Sequence, residues 1–272
     1  MGIEKIEFQE KEFNPEEAIS RLKPLLSDIG EEVLAIRESG DMAVETKKDF
    51  TDIVTRADKY AERMIVDHIK QFYPEHRIRG EEGTDIKSDS EYEWIIDPID
   101  GTTNFASGMD FFGISIGLYK KGIGQLGIMY FPALKKFAHA SKGNGAWVNN
   151  ERVTIRQEEG KTLDNSLITA GLVSGTFDKY PLLRERSRNV LLGGSFTAEA
   201  LWLIEEKVDA CIHTGATPYD LAAARIIVEE AGGVSSGIKG DEINLSNKQI
   251  PVILAKSSGL VGELRELLGE KI

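Results

Sequence analysis

The chain has 272 residues, of which 41% are hydrophobic and 29% charged, with a net charge of −12. That balance fits a globular fold with one large core or two closely joined halves. The acidic charge excludes a sequence-independent grip on nucleic acid or on an anionic membrane, since either needs a basic face; an anionic ligand would have to be drawn in locally, by metal ions and a few cations. The single cysteine, Cys211, excludes an intrachain disulfide, and within residues 208–212 it reads as inert core of a buried strand. No run approaches the roughly 18 apolar residues of a membrane span. The first residues carry no apolar signal segment, and residue 6 is Ile6 where an acylation motif starting at Gly2 needs Ser or Thr. The expected location is the cytoplasm.

Residues 15–38 place Ala18, Ile19, Leu22, Leu25, Leu26, Ile29, Val33, Leu34 and Ile36 at helical spacing behind Asn14-Pro15-Glu16-Glu17. An N-cap, proline at the first position and an acidic first turn predict an amphipathic cover helix. Lys47-Lys48-Asp49 reads as a polar loop, and Thr51-Asp52 as the start of a second helix to about Phe72, with Ile53, Ala57, Tyr60, Ile65 and Ile69 on one side. On this pattern alone Lys47 and Asp58 are surface charges. Pro74 ends the helix, residues 77–83 predict a short strand reaching a loop, and residues 87–93 read as polar and exposed.

An isoleucine-rich run, Trp94-Ile95-Ile96, then delivers Asp97 to a predicted strand end, where Pro98 removes a ladder donor. Asp100 follows, with the turn Gly101-Thr102-Thr103 behind it. Two carboxylates at one spot repel unless a cation lies between them, and hard oxygen ligands suit Mg²⁺ or Mn²⁺ rather than zinc. Gly101 permits close backbone approach, and the free N–H groups of a helix starting at Thr102 and Thr103 would hold an anion. The plain alternative is an edge strand ending in an Asp-Pro turn with solvated aspartates.

Residues 111–118 and 123–130 predict a hairpin around Lys120-Lys121-Gly122, with residues 136–140 and 145–148 continuing an antiparallel meander to a turn at Asn149-Asn150-Glu151. A second half begins with a strand at 167–170, then a loop and a helix to about Asn189. Its Arg184, Arg186 and Arg188 read either as a solvated face or as a cationic wall for a second phosphate. Thr197 is the expected N-cap of a helix over 198–207, followed by a strand ending at His213. Pro218-Tyr219-Asp220 opens a helix to Ala231, closed by Gly232-Gly233; a strand over 252–255 and a helix over 258–268 finish the chain. The order of elements predicts layered α and β structure.

Gly80-Glu81-Glu82, then Asp97-Pro98-Ile99-Asp100-Gly101-Thr102-Thr103-Asn104, then Pro218-Tyr219-Asp220 resemble, in that order, the inositol monophosphatase family of metal-dependent sugar phosphatases, over residues 15–270. The resemblance implies an αβαβα sandwich of the inositol monophosphatase/fructose-1,6-bisphosphatase type, in halves 1–160 (most metal ligands) and 161–272 (completing the site with Asp220). It also implies a homodimer and, as in many relatives, lithium inhibition. It puts Glu81, Asp97 and the Ile99 carbonyl on a first Mg²⁺, and Asp97, Asp100 and Asp220 on a second. A third, weaker ion would lean on Glu81 and waters near Lys47, with Mn²⁺ a possible substitute. Asp52-Ile53-Val54-Thr55 leading to Asp58 matches a family motif whose last aspartate bonds the catalytic threonine, here Thr102. Glu81 and Thr102 would orient the attacking water, Gly101, Thr102 and Thr103 would cradle the phosphate, and Thr197 and Ala198 would line the substrate's ring.

The implied activity is Mg²⁺-dependent hydrolysis of inositol 1-phosphate to inositol and phosphate. Fructose 1,6-bisphosphate is an alternative or second substrate, nucleotide 3′-phosphates and histidinol phosphate are further alternatives, and a regulator binding sugar phosphates or a partner protein is the non-enzyme alternative. Three departures bear on substrate. His213 stands where animal members carry an acidic side chain that grips a ring hydroxyl, a pocket arginine is replaced near Gly193, and Tyr219 takes the place of a tryptophan. The shortened region 171–189 resembles archaeal-type members that act on both inositol phosphate and fructose 1,6-bisphosphate.

Overall fold

The computed structural model describes residues 12–47, 53–158, 160–173 and 175–269. In chain order the elements are α1 (Pro15–Ser39), β1 (Glu45–Thr46), β2 (Ile53–Val54), α2 (Arg56–Phe72), β3 (Arg77–Gly80), β4 (Asp85–Ile86), β5 (Tyr92–Asp100), α3 (Thr102–Ala106), β6 (Gly113–Lys120), β7 (Ile123–Phe131), β8 (Lys136–Ser141), β9 (Ala146–Val148) and β10 (Glu151–Val153). They continue with β11 (Leu167–Gly171), α4 (Lys179–Glu185), β12 (Asn189–Leu191), α5 (Phe196–Ile204), β13 (Ala210–Ala216), α6 (Pro218–Glu230), β14 (Val234–Gly237), β15 (Ile250–Ala255) and α7 (Ser258–Gly269).

Two main sheets alternate with three layers of helix, and β1 and β2 form a separate two-stranded pair. The larger runs β10-β9-β8-β7-β6-β5-β3-β4, antiparallel except where β3 lies parallel to β5; the smaller runs β12-β11-β13-β15-β14, with β11 parallel to both its neighbours. Helices α1 and α2 cover one face of the large sheet, α5 and α6 fill the space between the sheets, and α4 and α7 cover the small sheet. Three apolar cores fill the seams: one between α1, α2 and the large sheet, one on both sides of the α5–α6 layer, and one between the small sheet and its covering helices. This is the expected αβαβα sandwich.

Local chemistry explains most of the boundaries. Asn14 caps α1 by accepting from the Glu17 N–H, and the helix stops at Gly40 in the left-handed conformation (φ 72°). Its buried face, Ala18, Leu22, Leu26, Ile29, Val33 and Ile36, follows the helical repeat. The placement of α6 decides the site. Glycine is required beneath it at two positions: a Cβ on Gly117 would lie 2.7 Å from that of Ala222, and one on Gly127 would lie 2.7 Å from the Ala223 carbonyl oxygen. The Ser115 and Tyr119 hydroxyls donate to the carbonyls of Tyr219 (3.0 Å) and Ala222 (2.9 Å). The first turn of α6 is thereby pinned against β6.

Several expectations are corrected. The second helix starts at Arg56, because Thr55 and Asp58 form a reciprocal capping box and the β-branched pair Ile53-Val54 forms β2 against β1; the expected start at Thr51-Asp52 lies outside the described residues. Tyr92 is buried and opens β5 rather than belonging to an exposed stretch. Pro98 does not end the strand: Asp97 pairs with Ser115 and Asp100 with Gly113, so β5 advances one residue more than β6 and the proline falls in that bulge. The helix expected to reach Asn189 ends at Glu185, and Asn189 begins β12. Ser195, not Thr197, caps α5, which ends at Ile204; and β13 runs past His213 to Ala216 through a register shift.

Candidate active site

The bulge in β5 and the pinned start of α6 bring Asp97, Asp100 and Asp220 together, each with a carboxylate oxygen within 4.8 Å of the others. Asp97 is 1% exposed; one of its oxygens accepts from the Ile99 N–H at 3.0 Å, and the other, Oδ2, is buried with no hydrogen-bond partner. Asp220 is the third residue of α6, where its carboxylate accepts from the Thr217 N–H at 2.7 Å. Glu81 follows β3, and its N–H donates to the Ile96 carbonyl at 3.1 Å, holding the residue beside β5.

These carboxylates conflict with one another. Burial, then the charges of Glu81, Asp100 and Asp220, hold Asp97 well above the usual carboxylate range. Burial and Asp220 push Glu81 up, and burial and Asp100 push Asp220 up to about 6. The donor set is all hard oxygen, and Asp97 Oδ2 has other carboxylates around it and no N–H or hydroxyl donor of its own. Residues of this kind fit Mg²⁺ or Mn²⁺.

Asp100 has a second role. Its Oδ2 accepts from the Ser195 hydroxyl (2.8 Å), the Thr197 N–H (2.5 Å) and the Thr197 hydroxyl (2.6 Å), and its Oδ1 from the Phe196 N–H (3.2 Å). The start of α5 is thus held by a protein carboxylate. Ala198 donates its N–H to Ser195 Oγ at 3.3 Å. Gly101 is left-handed (φ 85°), and a Cβ there would come within 2.8 Å of that of Ser195. Thr102 and Thr103 open the short α3, with Thr103 exposed. The Thr102 hydroxyl lies 3.0 Å from the Ile99 carbonyl oxygen and 3.2 Å from Asp58 Oδ1.

Neither Asp58 nor Lys47 is a free surface charge. Asp58 is 1% exposed, accepts from the Thr55 N–H (2.8 Å) and hydroxyl (2.5 Å), and meets Thr102. Burial raises its pKa against the pull of these bonds. Lys47 is partly buried, with its ammonium 2.6 Å from Glu82 and 3.4 Å from Glu81. Burial works against its charge, but Glu81 and Glu82 outweigh that and raise its pKa. Asp52 lies outside the described residues. Arg184, Arg186 and Arg188 are all exposed, with Arg186 paired to Asp164 at 3.4 Å, which agrees with the solvated reading.

Two carboxylates that sequence reading passed over are built into the site's walls. Glu62 of α2 accepts from the Glu82 N–H (2.8 Å) and from the N–H (3.1 Å) and hydroxyl (2.7 Å) of Thr84, gripping the loop that carries Glu81. Its position one turn after Asp58, on a face otherwise made of Ala57, Ala61 and Ile65, was an available signal. Glu199 of α5 lies 2.9 Å from His213 Nε2 and accepts from the Gly193 N–H at 2.8 Å; nothing in the linear sequence connects these three.

Comparison with known proteins agrees with this geometry. The family model described as "Inositol monophosphatase family" matches residues 15–272. A Thermotoga maritima protein named fructose-1,6-bisphosphatase/inositol-1-monophosphatase is 39% identical over 206 residues, covering 75% of this chain and 79% of its own. A Neisseria meningitidis protein named putative Nus factor SuhB is 34% identical over 237 residues, covering 82% and 90%. Among solved structures, a Thermotoga maritima IMPase superposes with a TM-score of 0.82 at 33% identity, over 93% of this chain and 97% of its own. With the acidic cluster, the layered sandwich and the match over nearly its whole length, the chain belongs to the inositol monophosphatase family and is a phosphoric monoester hydrolase.

Proposed function

We propose that this hydrolase releases phosphate from inositol 1-phosphate in a Mg²⁺-dependent reaction, and that fructose 1,6-bisphosphate is a second substrate of the same site. The observation that carries the reading is the buried, partnerless Asp97 Oδ2 amid Asp100, Asp220 and Glu81. The second substrate is supported by the name of the Thermotoga relative.

Glu81, Asp97, Asp100, Asp220 and the Ile99 carbonyl would hold the ions. Bound there, Mg²⁺ supplies the positive charge that a phosphate monoester's oxygens need and makes a water easier to deprotonate. The chain's own groups supply orientation. The one proton of the Thr102 hydroxyl is taken by Asp58 or the Ile99 carbonyl, so its oxygen is left to accept from the attacking water. Glu81, with a pKa raised by burial, receives the water's other proton as the new P–O bond forms, and that proton passes to the leaving oxygen as the ester P–O bond breaks, so the alcohol departs neutral. N–H groups of Gly101, Thr102 and Thr103 face the phosphate and His213 lines the leaving alcohol, while Thr197 and Ala198, expected to line it too, are buried behind that wall, where Thr197 holds Asp100. Lys47 steadies Glu81 and Glu82. A purely regulatory role, suggested by the name of the Neisseria relative, requires no water-orienting Thr102–Asp58 contact.

The test is phosphate release from inositol 1-phosphate, fructose 1,6-bisphosphate, adenosine 3′,5′-bisphosphate and histidinol phosphate, with and without Mg²⁺. The expected result is Mg²⁺-dependent turnover of the first two, with kcat/KM about tenfold or more above the others. A preference for either of the last two would overturn the assigned substrate.

A further inference from the structure

Glu199 is fully buried in the first turn of α5, yet both of its oxygens point out of the helix to groups on other segments. Oε1 accepts from the Gly193 N–H at 2.8 Å, and Oε2 lies 2.9 Å from His213 Nε2 on β13. A buried carboxylate needs such partners to stay ionised. The charges of Asp220 and Asp100 reach His213, and the turn after Gly193 approaches Gly101, where a Cβ would lie 3.4 Å from the Gly194 carbonyl oxygen.

The Gly193 peptide is held from its other side as well. Its carbonyl accepts from Asn104 Nδ2 at 2.8 Å, and the same amide donates to the Phe111 carbonyl at 2.8 Å. A Cβ on Gly193 would lie 2.8 Å from Glu199 Cγ, so the turn approaches the carboxylate as only glycine can. His213 is equally confined. Phe196 meets its ring edge-to-face at 4.5 Å, and a Cβ on Gly171 would fall 2.2 Å from the ring's Nδ1 and Cε1. With Nε2 committed to Glu199, Nδ1 is the polar atom that remains for a ligand.

We propose that Glu199 is a positioning residue that fixes the His213 ring and the Gly193 turn as one wall of the leaving-group pocket, so that His213 presents Nδ1 to the substrate's alcohol moiety. This rests on the phosphatase reading above. The charged groups whose fields reach the ring are Glu199, Asp220 and Asp100; burial works against its charge, but the Glu199 bond and these fields raise its pKa. With Nε2–H given to the Glu199 carboxylate, a neutral ring accepts a substrate hydroxyl's proton at Nδ1, and a protonated ring donates from Nδ1 to a hydroxyl oxygen or a second phosphate on the leaving group.

The experiment compares the parent with Glu199→Gln, His213→Ala and the double variant on inositol 1-phosphate and on p-nitrophenyl phosphate, which has no ring hydroxyls. Each single change is expected to raise KM for inositol 1-phosphate more than it lowers kcat. It should also cut the preference for inositol 1-phosphate over p-nitrophenyl phosphate about tenfold, the size of one lost charge-assisted hydrogen bond. The double variant should lose no more than His213→Ala, because both changes remove the same contact. Glu199→Gln should also add a pH dependence to KM near the unperturbed histidine pKa of about 6.5. Additive losses, or an equal fall for both substrates, would reduce Glu199 to a structural role and overturn the proposal. Should Glu199→Gln fail to fold, an unchanged preference in His213→Ala would overturn it alone. No turnover of either substrate by the parent would instead overturn the reaction assigned to the site.

Discussion

Strand β5 joins two buried ends built on opposite principles. At its start, Trp94 Nε1 donates to His76 Nδ1 at 3.0 Å, and the His76 ring stacks between Tyr73 (5.1 Å) and Tyr92 (4.7 Å) while Phe13 packs on Trp94 at 6.0 Å. There aromatic area is buried and the indole donor is matched. Three residues on, Asp97 is equally buried, but one oxygen has no partner and the surrounding groups are carboxylates that repel it. The first end makes the fold stable. The second is a local conflict that a bound cation removes, the kind of cost that concentrates at functional sites.

The sharpest way to break this contrast is Asp97→Asn. It should lower kcat/KM about 10³-fold, or about 4 kcal/mol, by removing a carboxylate that would hold Mg²⁺. The same change should raise the melting temperature of the metal-free protein by about 2–4 °C, because one repelling charge is gone; a lowered value would contradict the idea of conflict. Trp94→Phe, at the other end, should do the reverse. Loss of the bond to buried His76 should destabilise by about 1–3 kcal/mol in urea unfolding, with kcat unaltered.

Glu62→Gln tests how far the conflict depends on its frame. An amide in place of one acceptor oxygen faces the Glu82 or Thr84 N–H with a donor, and the Glu81 loop should loosen. Mg²⁺ binding measured without substrate should weaken by about 3- to 10-fold, and unchanged affinity would remove Glu62 from the site's support.

Acidity should modulate the same cluster. Burial and Asp100 place Asp220 up at about 6, above its unfolded value of about 3.8–3.9. A raised folded pKa adds stability to the metal-free protein that is full below the unfolded value and is lost as pH rises through about 6. Mg²⁺ competes with that proton, so the rise in melting temperature on adding saturating Mg²⁺ should be larger at pH 7.5 than at pH 5.5. An equal rise at both would contradict the coupling. The smallest effect belongs to Arg186→Ala: its pair with Asp164 is largely exposed, so stability should change by less than about 0.5 kcal/mol and KM for fructose 1,6-bisphosphate should hold. A tenfold rise in that KM would restore the cationic-wall reading of Arg184, Arg186 and Arg188.

Elements with strong local signals were legible from the residues. Helix α1 announced both its cap and its buried face, and the β6–β7 hairpin announced its turn. Strands β1, β2, β4, β10, β12 and β14, each of two to four residues, are too short for any periodicity to register. Pro98 misled because a breaker in a regular ladder is tolerated at a bulge, and the bulge is set by pairing with β6. Lys47 and Asp58 read as surface charges because their burial depends on Glu82, Thr102 and the loop around them, which are distant in sequence. The assignment of individual metal ligands came from family resemblance; the residues alone supplied only the paired aspartates and a reason for a hard cation. Glu199 and His213 are 14 residues apart on different elements, and only the fold joins them.

The most direct test of the account is calorimetric titration of Mg²⁺ into the metal-stripped protein and into Asp97→Asn at pH 7.5. Saturable binding in the parent that is lost or weakened at least about 100-fold in the variant is the predicted result. Equal affinity in the two would mean that the orphaned carboxylate does not face a cation, and the metal-dependent reading of this site would fall.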